Sequence, residues 1–163
     1  MKTLCLYYSR SGMTKETMVQ LSQILNCDLF EYTDGKDRKG ILGYIGACID
    51  SMKKSFPEIT IKGNPDLSSY DRVFVGMPVW VEGPSLIGRA FLKQYHQDLP
   101  EDVYYVVTHM AKADYLKKIK AMDSLLGRPS KGQISLRTKD NDYIKEITEY
   151  ASVLRIKKQE NPD

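Results

Sequence analysis

Histidine occurs twice, as His96 and His109, and cysteine three times, as Cys5, Cys27 and Cys48, with no C-x-x-C spacing among them. A zinc site needs closely spaced N and S ligands, and a disulfide framework needs an even set of cysteines, so the chain supports neither. The cysteines read as buried, reduced thiols. No apolar run approaches the roughly 18 residues that suggest a membrane span. The N-terminal run Leu4 to Tyr8 is too short for the apolar region of a signal peptide, and a cytoplasmic protein is expected. Charge of one sign is also scarce: 24 Lys and Arg are mixed with 21 Asp and Glu, for a net charge of +3. Neither nucleic acid nor a membrane surface is therefore expected as a partner, and the cluster Lys117, Lys118 and Lys120 reads as a solvated helix face.

What is present is the composition of an ordinary globular domain, 163 residues with 42% apolar and 28% charged side chains, enough for one substantial core. Residues 1–154 are expected to form a single domain, and 155–163 a polar tail that frays. Strand-like and helix-like segments alternate throughout. Short apolar runs at Lys2 to Tyr8, Leu29 to Tyr32, Arg72 to Met77, Val103 to Thr108 and Gln133 to Leu136 predict five strands. Helical spacing predicts five helices: Met13 to Leu25; a segment with Ile41, Ile45, Cys48, Ile49 and Met52 on one face; Pro84 to Tyr95 with proline in its first turn; a segment with Tyr115, Ile119, Met122 and Leu126 on one face; and Tyr143 to Leu154. Gly40, Gly43 and Gly46 recur every three residues in the second helix, which predicts close packing of that face against backbone, in the domain or across a dimer bordered by Tyr44 and Trp80.

Strands alternating with helices predict a doubly wound α/β domain with a parallel sheet, because a parallel connection needs a crossover of a dozen or more residues. Ligands of such sheets bind beyond the carboxyl ends of the strands. Three loops then matter most: Ser9 to Thr14 after the first strand, Met77 to Pro84 after the third, and Thr108 to Asp114 after the fourth.

The first of these lies in Tyr7-Tyr8-Ser9-Arg10-Ser11-Gly12-Met13-Thr14-Lys15, which turns a strand into a helix. A helix N-terminus exposes unpaired N–H groups and a partial positive charge, hydroxyls from Ser9, Ser11 and Thr14 can donate to phosphate oxygens, and Gly12 permits close backbone approach. On the local sequence, a simple helix cap by Ser11 or Thr14 is the alternative. Other phosphate chemistries do not fit. The chain has no G-x-x-x-x-G-K-S/T run and no G-x-G-x-x-G fingerprint; Cys5 lies inside the strand rather than in a cysteine-phosphatase turn; and the first and third loops supply no acidic receiver pocket.

Ser9 to Thr14 resembles the flavodoxin phosphate loop, Ser/Thr-x-Ser/Thr-Gly-x-Thr. Arg38 to Tyr44 is similar to the start of the second helix in a subgroup of flavodoxin-like proteins, and Val75-Gly76-Met77-Pro78-Val79-Trp80 resembles that subgroup's third strand and P-x-W loop. The resemblance implies a five-stranded parallel sheet in the order 2-1-3-4-5 and FMN as cofactor. Carried over, Ser9, Arg10, Ser11, Gly12, Met13 and Thr14 hold the phosphate. Pro78, Val79 and Trp80 lie beside the isoalloxazine ring, with Trp80 as a stacking group, and Thr108, His109 and Met110 lie in the loop at the ring's edge. His109 stacks or presents a proton, or is an exposed loop histidine without a role; Met110 is expected to pack against the domain.

The sequence departs from the family pattern at Glu82, where glycine is usual and is displaced to Gly83, and after Thr108, where Thr-x-Gly-Gly is replaced by Thr108 to Ala113 without glycine. A carboxylate beside the ring disfavours its reduction. The resemblance implies an electron carrier or a small oxidoreductase whose partner is a redox protein or a nicotinamide donor, as a monomer or homodimer. The basic balance tilts toward the oxidoreductase, since short-chain carriers of the family are typically acidic. A flavodoxin-fold interaction domain that has kept the anion loop but lost productive flavin binding is the alternative.

Overall fold

A computed structural model of the chain describes residues 1–38, 40, 43, 45, 46, 49, 56–81, 83–140 and 142–160. The elements run β1 (Thr3–Tyr7), α1 (Met13–Leu25), β2 (Asp28–Thr33), β3 (Thr60–Ile61), a 3-10 turn (Leu67–Ser69), β4 (Arg72–Trp80), β5 (Gly83–Pro84), α2 (Leu86–Tyr95), β6 (Asp102–His109), α3 (Leu116–Lys120), α4 (Asp123–Leu126), β7 (Gly132–Arg137) and α5 (Tyr143–Glu160). Among the described residues the sheet has seven strands rather than five. Its path is β3-β2-β1-β4-β6-β7, with β5 paired to β4. The β2-β1-β4-β6-β7 pairings are all parallel, whereas β3 and β5 are two-residue antiparallel additions, too short to carry a periodic signal.

Side chains alternate across the sheet, as the strand period of two requires. On one face Leu4, Leu6, Val73, Val75, Val103, Tyr105 and Val107 meet Ile87, Phe91, Ile119 and Leu126 from α2, α3 and α4. On the other, Cys5, Tyr7, Phe74, Tyr104 and Val106 meet Met18 and Leu21 of α1 and Ile147 and Ala151 of α5. Both faces are thus covered, and the strands read as continuous apolar runs because neither side sees water. Contact on the α1 face is close: a Cβ at Gly76 would lie 2.5 Å from Met18 Cγ.

Several boundaries differ from the sequence expectation. Strand β4 continues past Met77 to Trp80 and folds back, so Val79 pairs with Pro84 and Trp80 with Gly83. Pro84 therefore belongs to the short return strand, an edge position that tolerates its missing N–H. Helix α2 begins after it, with the Ser85 hydroxyl accepting from Gly88 N–H at 3.2 Å. The fourth predicted helix is two short ones, yet Tyr115, Ile119, Met122 and Leu126 are all buried as their spacing required. Helix α5 runs to Glu160, past Leu154, where the apolar spacing stops.

In the second-helix region, Ile41, Tyr44, Cys48 and Met52 lie outside the described residues. Ile45 and Ile49, expected on one helix face, are 49% and 56% exposed and belong to neither cluster of buried residues described above. The glycine repeat is not a uniform packing stripe. A Cβ at Gly43 would meet the Arg38 backbone, while one at Gly40 or Gly46 would meet nothing within 4 Å among the described residues. No helix among the described residues is long and apolar enough to cross a membrane.

Candidate functional site

The carboxyl ends of β1, β4 and β6 open onto one cavity of roughly 210 Å³, at the position where ligands of such sheets bind. It is lined by Arg10, Ser11, Met13 and Thr14 from the first loop; Pro78, Val79, Trp80 and Val81 from the end of β4; and Thr108, His109, Met110 and Ala111 from the end of β6, with Tyr115 and Thr138. Of the residues singled out in the sequence, Ser9 and Gly12 do not line it. They shape its first loop: Gly12 N–H donates to Ser9 Oγ at 3.1 Å.

Gly12 sits at φ 99°, a left-handed conformation that glycine adopts readily, and its Cβ position faces open space. The glycine is needed for the bend rather than for clearance within the chain. Helix α1 follows with no side-chain cap, its first internal bond running from Glu16 N–H to Gly12 O at 2.9 Å. The simple-cap reading of Ser11 and Thr14 therefore fails. The N–H groups of Met13, Thr14 and Lys15 stand outside the helix ladder, at the positive end of its dipole. Thr14 is committed elsewhere: its hydroxyl is 2.8 Å from that of Thr108, both buried, which ties the first loop to the end of β6.

The opposite wall is held from behind. Trp80 is 7% exposed, meets Tyr8 edge-on at 5.7 Å, and has the Arg38 guanidinium 5.4 Å from its ring centroid. Arg38 donates two hydrogen bonds to the Asp34 carboxylate, at 2.7 and 2.6 Å, and both side chains of this ion pair are buried. Burial raises the Asp34 carboxyl, but the bonds from Arg38 and from the Lys36 amide outweigh it and hold the group below the usual carboxylate range. Burial likewise raises the Tyr8 phenol, opposed in part by Arg38. Trp80 Nε1 is buried with no hydrogen-bond partner among the described residues. Beyond Trp80 the turn passes through Val81 at φ 56°, a strained conformation for a β-branched residue, with its side chain 60% exposed at the cavity mouth. Glu82, whose charge bore on the sequence expectation, lies outside the described residues.

Strand β7 braces the loop after β6. His109 O accepts from Thr138 N–H at 2.8 Å and from the Thr138 hydroxyl at 3.2 Å, and Met110 O accepts from Arg137 Nε at 3.2 Å. His109 Nδ1 donates to Ala111 O at 2.9 Å, and its ring meets Tyr115 at 4.9 Å, tilted by 62°. Met110 does not pack against the domain; it is 57% exposed on the rim, because its loop projects beyond the sheet. Val81 and Ala111 fall in the loops after the third and fourth predicted strands without being named as site residues, and Tyr115 and Thr138 were missed. Thr138, directly after a parallel strand, was accessible through the carboxyl-end rule, whereas Tyr115 carried only a core-like helical spacing.

A doubly wound α/β domain with an uncapped helix N-terminus at its strand ends defines the class. The family model described as Flavodoxin matches residues 2–109, and the chain belongs to that family. Among solved structures, a flavoprotein from Lactobacillus acidophilus NCFM in complex with FMN is 25% identical, with 90% of this chain and 98% of that one covered and a TM-score of 0.68. A protein from Bacteroides eggerthii DSM 20697 is 18% identical over 93% and 96% of the two chains, with a TM-score of 0.73. The two-electron reduced flavodoxin of Megasphaera elsdenii is 13% identical over 93% and 98%, with a TM-score of 0.57. The last two likenesses speak for the fold alone. No curated protein matches the sequence.

Proposed function

We propose that the chain binds FMN in this cavity and works as a redox protein, passing electrons from a nicotinamide or protein donor to an acceptor. The observation that carries the reading is the uncapped N-terminus of α1, set by Gly12 at φ 99° and opening into the cavity. The residues present fit the group. Amides of Met13, Thr14 and Lys15, the Ser11 hydroxyl and the Arg10 cation suit a phosphate. Pro78 to Val81 and Thr108 to Ala111 suit a flat aromatic ring, and Trp80 Nε1–H, without a partner among the described residues, is a donor in the wall.

FMN, when bound, supplies the electron chemistry; the polypeptide supplies binding, orientation and electrostatics. With Nδ1–H committed to Ala111 O, His109 keeps Nε2 as a second hydrogen-bonding atom. The net charge of +3 favours an oxidoreductase, or a carrier with acidic partners. The glycine-free loop from His109 to Ala113 favours a second reading, an interaction domain without productive flavin binding.

The test is a visible spectrum of the purified protein, followed by titration of the apo form with FMN and riboflavin. Charge-assisted bonds to a phosphate, at about 1.5 to 3 kcal/mol each, are expected to make FMN tighter by roughly tenfold or more. Binding of neither flavin overturns the redox reading in favour of the interaction domain. The loaded protein is then mixed with NADH or NADPH and an electron acceptor; turnover identifies an oxidoreductase, and its absence a carrier.

A further inference from the structure

Away from the cavity, the fold brings together two thiols that the sequence keeps apart. Cys5 is fully buried in β1, and Cys27 is half-buried just after the Asn26 cap of α1, where the chain enters β2. Their sulfurs are 3.6 Å apart on the α1 face of the sheet, within hydrogen-bonding contact. A disulfide bond is about 2.05 Å long, so closure requires an approach of about 1.5 Å. The pair is also asymmetric. Burial pushes the Cys5 thiol well up, while the hydrogen bond with Cys5 holds Cys27 below the usual thiol range. Cys27 is thus the more accessible and more acidic sulfur, with a shielded partner in contact with it, the arrangement that favours attack followed by resolution.

We propose that Cys5 and Cys27 form a thiol-modification site, converted to an intramolecular disulfide by low-molecular-weight disulfides and restored by thiols. The Cys27 thiolate attacks one sulfur of the small disulfide, whose S–S bond breaks to release one small thiol and leave a mixed disulfide on Cys27. Cys5, giving up its proton, then attacks the Cys27 sulfur, forms the Cys5–Cys27 bond and expels the second small thiol. The two protein sulfurs lose two electrons, the small disulfide gains them, and its two sulfurs take the two protons. The bridge closes the segment β1–loop–α1, so both ends of the unit carrying Ser9 to Thr14 become covalently joined. The site does not depend on flavin binding.

The test incubates the reduced full-length chain with oxidised glutathione over a range of thiol-to-disulfide ratios, followed by acid quench, alkylation and mass spectrometry. Trypsin cleavage after Lys2, Arg10, Lys15 and Lys36 separates Cys5 from Cys27, and Cys48 falls on a third peptide. The expected product is two hydrogens lighter than the reduced chain, with the Cys5 and Cys27 peptides linked, two of its three thiols lost and both recovered with dithiothreitol. A stable glutathione adduct on Cys27 with Cys5 still alkylatable overturns the proposal, as does a link to Cys48 or no reaction. Cys5→Ala is expected to trap the mixed disulfide on Cys27, and Cys27→Ser to leave Cys5 unmodified. The wild-type peptide map decides the matter even where a variant fails to fold.

Discussion

On one side of the cavity the available donors are mostly backbone: the first-turn amides of α1, aimed by a single glycine conformation and by the Ser9 hydroxyl. On the other side the wall is made of side chains brought from distant elements, with Trp80 held by Tyr8 and by a buried ion pair, and the His109 loop tied down by residues at the end of β7. The first wall is local and repeats a short motif. The second is assembled across the fold, so its sequence can drift from the family pattern, as after Thr108, while tertiary bonds keep its shape. Anion recognition and ring recognition are accordingly expected to fail independently when mutated.

The largest effect is expected at the support of the second wall. Asp34→Asn removes the Asp34 charge from its buried pair with Arg38, a loss of roughly 3 to 5 kcal/mol, or on the order of 10 °C in Tm for a chain of this size. The single tryptophan makes the change readable as a shift in Trp80 fluorescence. Because the folded Asp34 carboxyl is held low, its contribution is complete above the unfolded value of about 3.9 and is lost as pH falls through the lower folded value. The Tm gap between wild type and variant should therefore narrow in acid; a gap independent of pH would remove the ion pair from the account.

Next comes the first wall. Gly12→Val places an L-residue at φ 99°, at a cost of at least about 1 to 2 kcal/mol. The affinity for FMN should fall roughly tenfold or more while riboflavin binding holds, and an equal loss for both flavins would break the distinction between the walls. Thr14→Val tests the joint between them. It strands the buried Thr108 hydroxyl at a cost of about 1 to 3 kcal/mol in the apo protein. The Thr14→Val/Thr108→Val pair should cost less than the sum of the single changes, and strict additivity in denaturant melts would show that this bond does not couple the walls. The smallest effect is expected at Val81→Gly. Relief of the φ 56° conformation should raise stability by about 1 kcal/mol, a Tm increase of about 2 to 4 °C, and a decrease would mean that the valine side chain contributes more than its backbone costs.

Much of this was legible in advance because apolar runs and helical spacings report burial directly. Leu4, Leu6, Val73, Val75 and Val103 mark a sheet covered on both faces, and Met18, Leu21, Ile119 and Leu126 mark the helices that cover it. The first loop was legible because a strand-to-helix turn with glycine and hydroxyls is a local device. The hairpin that takes up Pro84 was not, since two residues carry no period and pairing is decided by where β4 ends. Nor was the Arg38–Asp34 pair: its separation is that of countless solvated helix pairs, and nothing in the sequence marks it as buried. At Ile45 and Ile49 the apolar spacing marks a helix face that is exposed at both positions.

Short stretches of the chain dictate the α/β alternation, the two-sided burial of the strands and the conformation of the turn at Gly12, because each depends on residues close together in the sequence. Tertiary structure alone decided that Thr14 meets Thr108, that Arg38 supports Trp80, that Thr138 braces His109 and that Cys5 faces Cys27. These contacts join residues brought together by the register of parallel strands and the crossovers between them, and neither is written in any short stretch of the chain.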